Sequence, residues 1–146
     1  MCHHLDMKTI VVDTNIFVSA LLNPAGACGE TMARCFQQRY HPLMGTSLYL
    51  EYEDLLSRQY LFTNTLTSPK EREQFFDDFL SICRWVKVYY SWRPNLKDEA
   101  DNHLIELAVA GGADAIITKN IKDFRQSNLL FPEISILNPF QTLETK

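Results

Sequence analysis

The chain has 146 residues, 46% of them hydrophobic and 22% charged. This composition is that of an ordinary globular protein, and it excludes disordered, collagen-like and low-complexity architectures. The length predicts a single domain over residues 1–146, with one core and no room for a second catalytic domain. Because the formal net charge is -4, the chain as a whole attracts neither phosphate backbones nor anionic membranes, so any nucleic-acid contact must be local.

Cysteine spacing and the first residues bear on the compartment. The 4 cysteines form neither a CxxC pair nor a zinc-type spacing, and they are too few for a disulfide scaffold. We therefore expect reduced thiols and a cytoplasmic protein. The apolar run over residues 10–12 stops at Asp13, so the sequence predicts neither a signal peptide nor a membrane span.

In chain order, the first half of the sequence predicts two strands and three helices from its hydrophobic periodicity. These elements are a strand over 9–12, helices over 16–22 and 30–39, a strand over 42–45, and a helix capped by Thr46 or Ser47. The break between the first two helices is marked by Asn23-Pro24-Ala25-Gly26, a typical loop composition.

The second half continues the alternation of helices and strands. It predicts a helix from Ser68-Pro69 to about Cys83, a strand over 85–90, a helix opened by Asp98 and closed by Gly111-Gly112, and strands over 115–118 and 134–137. Short apolar strands alternating with helices predict an α/β fold, a three-layer α/β/α sandwich around a mainly parallel five-stranded sheet.

Polar side chains follow two of the predicted strands. Asp13 comes directly after the first strand, while Asn120 and Asp123 follow the fourth. In a parallel sheet these positions share the carboxyl edge, where ligands bind in such folds. The alternative is that Asp13 caps the next helix and Asp123 is a turn residue.

Two predicted helices carry acids beside their apolar faces. Asp101 lies three, four and seven residues before apolar side chains, so it shares the buried face of its helix. Capping, with Asp98 at the N-cap and Asp101 at the third position, is the alternative; it balances a functional role for Asp101 and is favoured for Asp98. Glu51 lies between Leu50 and Tyr52 and also borders an apolar stripe. A carboxylate so placed needs a cation, a hydrogen bond or water.

Four blocks, in order and with compatible gaps, resemble the PIN-domain family. The first is Val11-Val-Asp-Thr-Asn-Ile-Phe-Val-Ser-Ala-Leu-Leu22, in which a strand ends in Asp-x-Asn. The remaining blocks are 47–56, 98–108 continued by 112–118, and 118–124, and the tail over 136–140 also fits. The resemblance covers about residues 8–141, which we take as the core of the domain.

This resemblance implies a metal-dependent nuclease, often the toxin of a bacterial toxin–antitoxin pair that acts on RNA. The implied catalytic residues and metal ligands are Asp13, Glu51, Asp101 and Asp123, with Asp98 as an accessory ligand. Asn120 occupies a position where many members carry an acid, so the fourth site residue is either Asn120 or Asp123. The implied partners are RNA, an antitoxin protein and a second copy of the chain.

The residue types give this hypothesis a physical basis. Carboxylates about 4 Å apart repel by roughly 4 kcal/mol at an effective dielectric constant of 20, a cost that hard cations would offset. Oxygen ligands suit Mg²⁺ or Mn²⁺. We expect Asn15, Thr118 and Asn120 to orient the carboxylates by hydrogen bonds, and turn or cap chemistry is the alternative for these residues.

Other interpretations stay open. Asp13 is also placed like the nucleophile of a phosphotransferase, although Asn15 stands where that chemistry usually needs a second acid. A PIN-like module that binds RNA or an antitoxin without cleaving is the third possibility. Basic residues at 93, 119, 122 and 125 are candidates for RNA phosphate contacts or simply solvated. The aromatic stretch over 75–92 forms either a dimer interface or part of the core.

Overall fold

The structure is a computed structural model that describes residues 8–63, 65, 67–88, 102–124 and 131–141. Asp98 and Asp101 lie outside the described residues, and so do the side chains of Asn102 and Asp123. The helix start predicted at Asp98 is therefore not described. Among the residues that are, no helix is long and apolar enough to cross a membrane.

Strands and helices alternate along the described chain. They are β1 (Lys8–Val12), α1 (Thr14–Leu22), α2 (Ala27–Phe36), β2 (Tyr40–Met44), α3 (Thr46–Leu56), α4 (Pro69–Ile82), β3 (Arg84–Trp85), α5 (Asn102–Gly111), β4 (Ala115–Ile117) and β5 (Ser135–Leu137). Two short 3₁₀ helices cover Gln59–Phe62 and Ile121–Phe124.

The strands form one five-stranded sheet in the order β3-β2-β1-β4-β5, and every neighbouring pair is parallel. The chain moves from β1 through β2 to β3 and then returns to the other side of β1 as β4. Right-handed crossovers in opposite directions place helices on both faces of the sheet. The predicted α/β sandwich is confirmed. Its strand order reverses between β1 and β4, and a crevice opens at the carboxyl end of such a reversal.

The core joins the central strands to an aromatic cluster. Ile10, Val11 and Val12 are fully buried, as expected for a parallel strand covered on both faces. Phe17 of α1 packs on Tyr52 edge to face, with ring centroids 5.2 Å apart, and stacks on Phe75 at 5.1 Å. Because Phe17 is four residues beyond Asp13, this packing fixes the start of α1 against the sheet.

The predicted aromatic stretch divides between the core and the surface. Phe76 and Phe79 are buried against Phe17, whereas the side chain of Trp85 is 53% exposed. The predicted strand over 85–90 is wrong in extent, because β3 pairs with β2 only at Arg84 and Trp85. Residues 89–92 lie outside the described part of the chain.

Helix ends differ from the prediction where local contacts decide them. α2 ends at Phe36 rather than 39, since Gln38 adopts a left-handed backbone conformation with φ 64. The cap of α3 is Gly45 and not Thr46 or Ser47. A Cβ on Gly45 would lie 3.2 Å from the Leu107 side chain, so the helix begins where the backbone approaches α5 closely.

The start of α4 is as predicted. Ser68 is its N-cap, Pro69 begins the helix, and Glu71 completes a capping box with Ser68.

Candidate active site

Asp13 and Thr118 meet at the carboxyl edge of the sheet. Val12 pairs with Ile117 in the β1–β4 ladder, and each of the two polar residues directly follows its strand. The Thr118 hydroxyl donates a hydrogen bond of 2.7 Å to Oδ2 of Asp13. Thr118 is fully buried and Asp13 is only 4% exposed. The sheet register therefore delivers a buried carboxylate with a fixed orientation.

The electrostatic surroundings of Asp13 work against its ionised form. Burial raises the pKa of this carboxyl above its ordinary value, and the negative charge of Glu51 raises it further. The hydrogen bond from Thr118 and the nearby amides of Asn15 and Thr14 act in the opposite direction without cancelling the rise. An ionised Asp13 is therefore costly unless a positive charge joins it.

Helix capping accounts for Asp13 only in part. The residue is the N-cap of α1 and the amides of Thr14 and Asn15 lower the pKa of its carboxyl, but its side chain makes no regular capping hydrogen bond. The Thr14 hydroxyl lies 3.5 Å from Oδ1, at the long limit of a hydrogen bond. The strongest partner of the carboxylate thus comes from a neighbouring strand and not from the helix that it precedes.

Glu51 is brought to the same edge by its neighbour in sequence. The hydroxyl of Tyr52 donates a hydrogen bond of 2.8 Å to the carbonyl oxygen of Val12, and Tyr52 itself is buried. This bond joins α3 to the end of β1, one residue before Asp13. Glu51 therefore lies close enough to Asp13 for its negative charge to raise the pKa of that carboxyl.

His103 of α5 also contacts Glu51. Its Nε2 lies 3.1 Å from Oε1 of Glu51, an ion-pair distance if the imidazole is protonated. Among the described residues the buried Oε1 nevertheless has no hydrogen-bond partner, and neither does Nδ1 of His103. Sequence reasoning missed both His103 and Tyr52. The spacing of Leu48 and Tyr52, four residues apart on one helix face, is the signal that could have indicated the latter.

The other predicted site residues divide into three groups. Asn15 is exposed, and only its backbone amide acts on Asp13. Asn120 is exposed as well, but its backbone N–H donates a hydrogen bond of 3.1 Å to the Thr118 hydroxyl. Asp98, Asp101 and the side chain of Asp123 lie outside the described residues, so their roles stay predictions.

The donor set at this edge fits a hard divalent cation. Asp13 and Glu51 provide carboxylate oxygens, the ligands that Mg²⁺ and Mn²⁺ prefer, and Oε1 of Glu51 is a buried oxygen without a hydrogen-bond donor among the described residues. Within the described part of the chain, no three side chains of His, Cys, Asp or Glu form a group that could hold a metal. The predicted third and fourth acids are not in that part.

Parallel α/β sheets bind ligands at the carboxyl end of a reversal in strand order, which is where Asp13 lies. Residues 9–122 match the sequence profile of the PIN domain, and the chain belongs to the PIN-domain family. The resemblance expected from the four sequence blocks is confirmed. PIN domains are generally nucleases that use divalent metal ions, which supports an enzyme of that kind here.

Two solved structures share the fold. VapBC2 from Rickettsia felis, bound to a DNA fragment from its promoter, matches with a TM-score of 0.58 and 16% identity over 89% of this chain and 98% of that one. FitAB bound to an IR36 DNA fragment matches with a TM-score of 0.58 and 13% identity over 94% of this chain and 99% of that one. No curated protein sequence matches significantly.

Proposed function

We propose that this chain is a divalent-metal-dependent endoribonuclease and the toxin of a toxin–antitoxin pair. The observation that carries the proposal is the approach of Asp13 and Glu51 at the carboxyl edge of the sheet, where burial and the charge of Glu51 raise the pKa of Asp13. Mutually repelling carboxylates are compensated when a cation binds between them, and carboxyls with raised pKa values cluster at functional sites.

The proposed metal ligands are Asp13, Glu51, Asp101 and Asp123, with Asp98 as an accessory. When bound, Mg²⁺ or Mn²⁺ supplies Lewis acidity, activates water and offsets the charge of a phosphodiester.

The surrounding residues orient these carboxylates. The Thr118 hydroxyl fixes one oxygen of Asp13, and the bond from Tyr52 to the Val12 carbonyl anchors the turn of α3 that carries Glu51. His103 limits the movement of Glu51 by its contact at Oε1. In this arrangement Glu51 would accept a proton from water, while the oriented Asp13 would hold the cation.

The toxin role is supported by family membership and by the fold shared with VapBC2 and FitAB. We propose an antitoxin partner that places a basic or aromatic side chain in the acidic crevice, because such a group would offset the charges of Asp13 and Glu51. A homodimer is also proposed. Its molar mass by light scattering would be twice the 16.9 kDa of the chain.

The test is cleavage of single-stranded RNA by the purified chain. We expect cleavage with Mg²⁺ or Mn²⁺, none in EDTA, and a loss of at least about 100-fold in the variants Asp13→Asn and Glu51→Gln, because each removes a proposed ligand with little change in shape. Asp114→Asn is the matched control, since Asp114 lies at the opposite edge of the sheet and should retain full activity.

Two results would contradict the nuclease. Equal cleavage in EDTA would exclude the metal mechanism, and full activity of Asp13→Asn would exclude this site. RNA binding without any cleavage would instead favour the PIN-like binding module. A phosphoryl group retained on the protein and lost in Asp13→Asn would favour the phosphotransferase.

A further inference from the structure

A groove of about 510 Å³ lies beside the candidate active site. Its walls come from the end of α1, the start of α2, and the segments that follow β4 and β5. Residues that line it include Ser19, Leu22, Ala27, Lys119, Asn138 and Phe140. None of its described lining residues is an acid, in contrast to Asp13 and Glu51 at the candidate active site.

The groove and the candidate active site lie at the same carboxyl edge of the sheet, where β4 and β5 end. Lys119 directly follows Thr118, whose hydroxyl binds Asp13. Asn138 directly follows Leu137, whose carbonyl accepts the N–H of Thr118 at 2.8 Å. An RNA strand that is bound at Asp13 and extends along this edge would therefore run toward the groove.

Phe140 forms an unusually exposed aromatic surface at the rim of this groove. Its side chain is 85% exposed. Oδ1 of Asn138 accepts hydrogen bonds from the N–H groups of Phe140 at 2.9 Å and Gln141 at 3.2 Å, and Oε1 of Gln141 accepts one from the Asn138 N–H. The backbone that carries the ring is thus fixed before any ligand binds, which lowers the entropy cost of binding.

The groove also contains a positive charge that complements a phosphate. The ammonium group of Lys119 donates a hydrogen bond to the Ser19 hydroxyl, so it is held in the groove between α1 and the end of β4. A fixed cation and an exposed ring in one groove are the combination that binds single-stranded nucleic acid, in which the phosphate meets the cation and the base stacks on the ring.

We propose that this groove binds a nucleotide of single-stranded RNA next to the scissile phosphate, with its base on Phe140 and its phosphate on Lys119. This inference rests on the proposed ribonuclease function and extends it from the reacting group to the flanking nucleotide. Phe140 and Lys119 are positioning residues, because they hold the substrate without touching the reacting atoms.

Binding is measured by fluorescence anisotropy of a labelled single-stranded RNA on the Asp13→Asn protein with Mg²⁺, so that binding is separated from cleavage. We expect Phe140→Ala to weaken binding by about 5- to 150-fold, the range for the loss of one stacked base, and Phe140→Tyr to retain it. Tyr60→Ala is the control, since Tyr60 is 67% exposed and is not among the groove residues.

Two further measurements separate stacking and charge from a general loss of structure. A set of RNAs, each with the base removed from one nucleotide, tests the stacking. For one of these RNAs, Phe140→Ala should no longer weaken binding, because that RNA has no base to stack on the ring. Lys119→Ala should lower the slope of log Kd against log salt by about 0.7, the value for one phosphate contact with a single strand.

The possible outcomes separate the proposal of RNA binding in the groove from the proposal of nuclease activity. Phe140-dependent RNA binding without cleavage by the unmodified protein supports the groove and refutes the proposed function. Cleavage and RNA binding that are both unchanged in Phe140→Ala overturn the groove and leave the nuclease intact. No RNA binding overturns the groove as well, and so does unchanged RNA binding with weakened binding of a partner protein, which would assign the groove to that protein.

Discussion

Asp13 and Asp114 lie at opposite edges of the same sheet, beside the neighbouring strands β1 and β4. Asp13 follows its strand and is 4% exposed, with a hydroxyl partner and a second carboxylate nearby. Asp114 precedes its strand, is exposed, and accepts a hydrogen bond of 2.9 Å from the N–H of Thr9.

The difference shows that the role of an aspartate beside this sheet depends on which edge of the sheet it occupies. At the amino edge Asp114 satisfies a backbone donor at the start of β1. At the carboxyl edge Asp13 and Thr118 follow β1 and β4, the strands between which the strand order reverses, and such a reversal is where ligands bind. The carboxylate of Asp114 thus has a hydrogen-bond donor. At the carboxyl edge the charges of Asp13 and Glu51 repel each other, and a bound cation would reduce this repulsion.

The largest effect that tests this contrast is on catalysis. We expect Thr118→Val to lower RNA cleavage and Mg²⁺ affinity by about 10- to 100-fold, because the hydroxyl that orients Asp13 is lost. Thr118→Ser should restore most of the activity. Thr9→Val is the control at the other edge, where the backbone N–H makes the bond. Full activity of Thr118→Val would show that Asp13 needs no such orientation.

The next largest expected effect is on the free energy of unfolding, which should change in opposite directions in Asp114→Ala and Asp13→Asn. Asp114→Ala should lower the free energy of unfolding by about 1 kcal/mol, because the Thr9 N–H loses its acceptor. Asp13→Asn should raise it at neutral pH in EDTA, because a costly buried charge is removed and an amide oxygen can still accept from Thr118. Urea denaturation checks both variants. Destabilisation by Asp13→Asn would contradict the electrostatic account.

The smallest expected effect is a pH dependence of the stability that Asp13→Asn adds. Because the folded pKa of Asp13 lies above its ordinary value of 3.8, the native state binds more protons than the unfolded state in this window, and stability falls as the pH rises through it. The advantage of Asp13→Asn should therefore be complete above the folded pKa and vanish below 3.8. Denaturation midpoints across acidic pH in EDTA measure it, and a constant difference would exclude this cause.

The meeting of Asp13 with Thr118 could be predicted from sequence because adjacent parallel strands end at one edge, whatever the helices do. The fold followed in the same way from alternating apolar runs. Glu51 needed the family resemblance, since an acid beside an apolar stripe is common on helices. His103 was missed because its contact with Glu51 depends on how α5 packs against α3, and periodicity carries no information about that packing.

Strand and helix limits were also set by contacts between distant segments. β3 contains only Arg84 and Trp85 because pairing with β2 begins at Leu43, although β-formers continue along the sequence. The cap of α3 falls on Gly45 because the Leu107 side chain lies against its backbone. Local residue preferences could not supply either limit.

The bond between the Tyr52 hydroxyl and the Val12 carbonyl has one more consequence. Asp13 and Glu51 are each the direct chain neighbour of a residue in this bond, so the backbone positions of both acids are anchored by a contact that carries no charge.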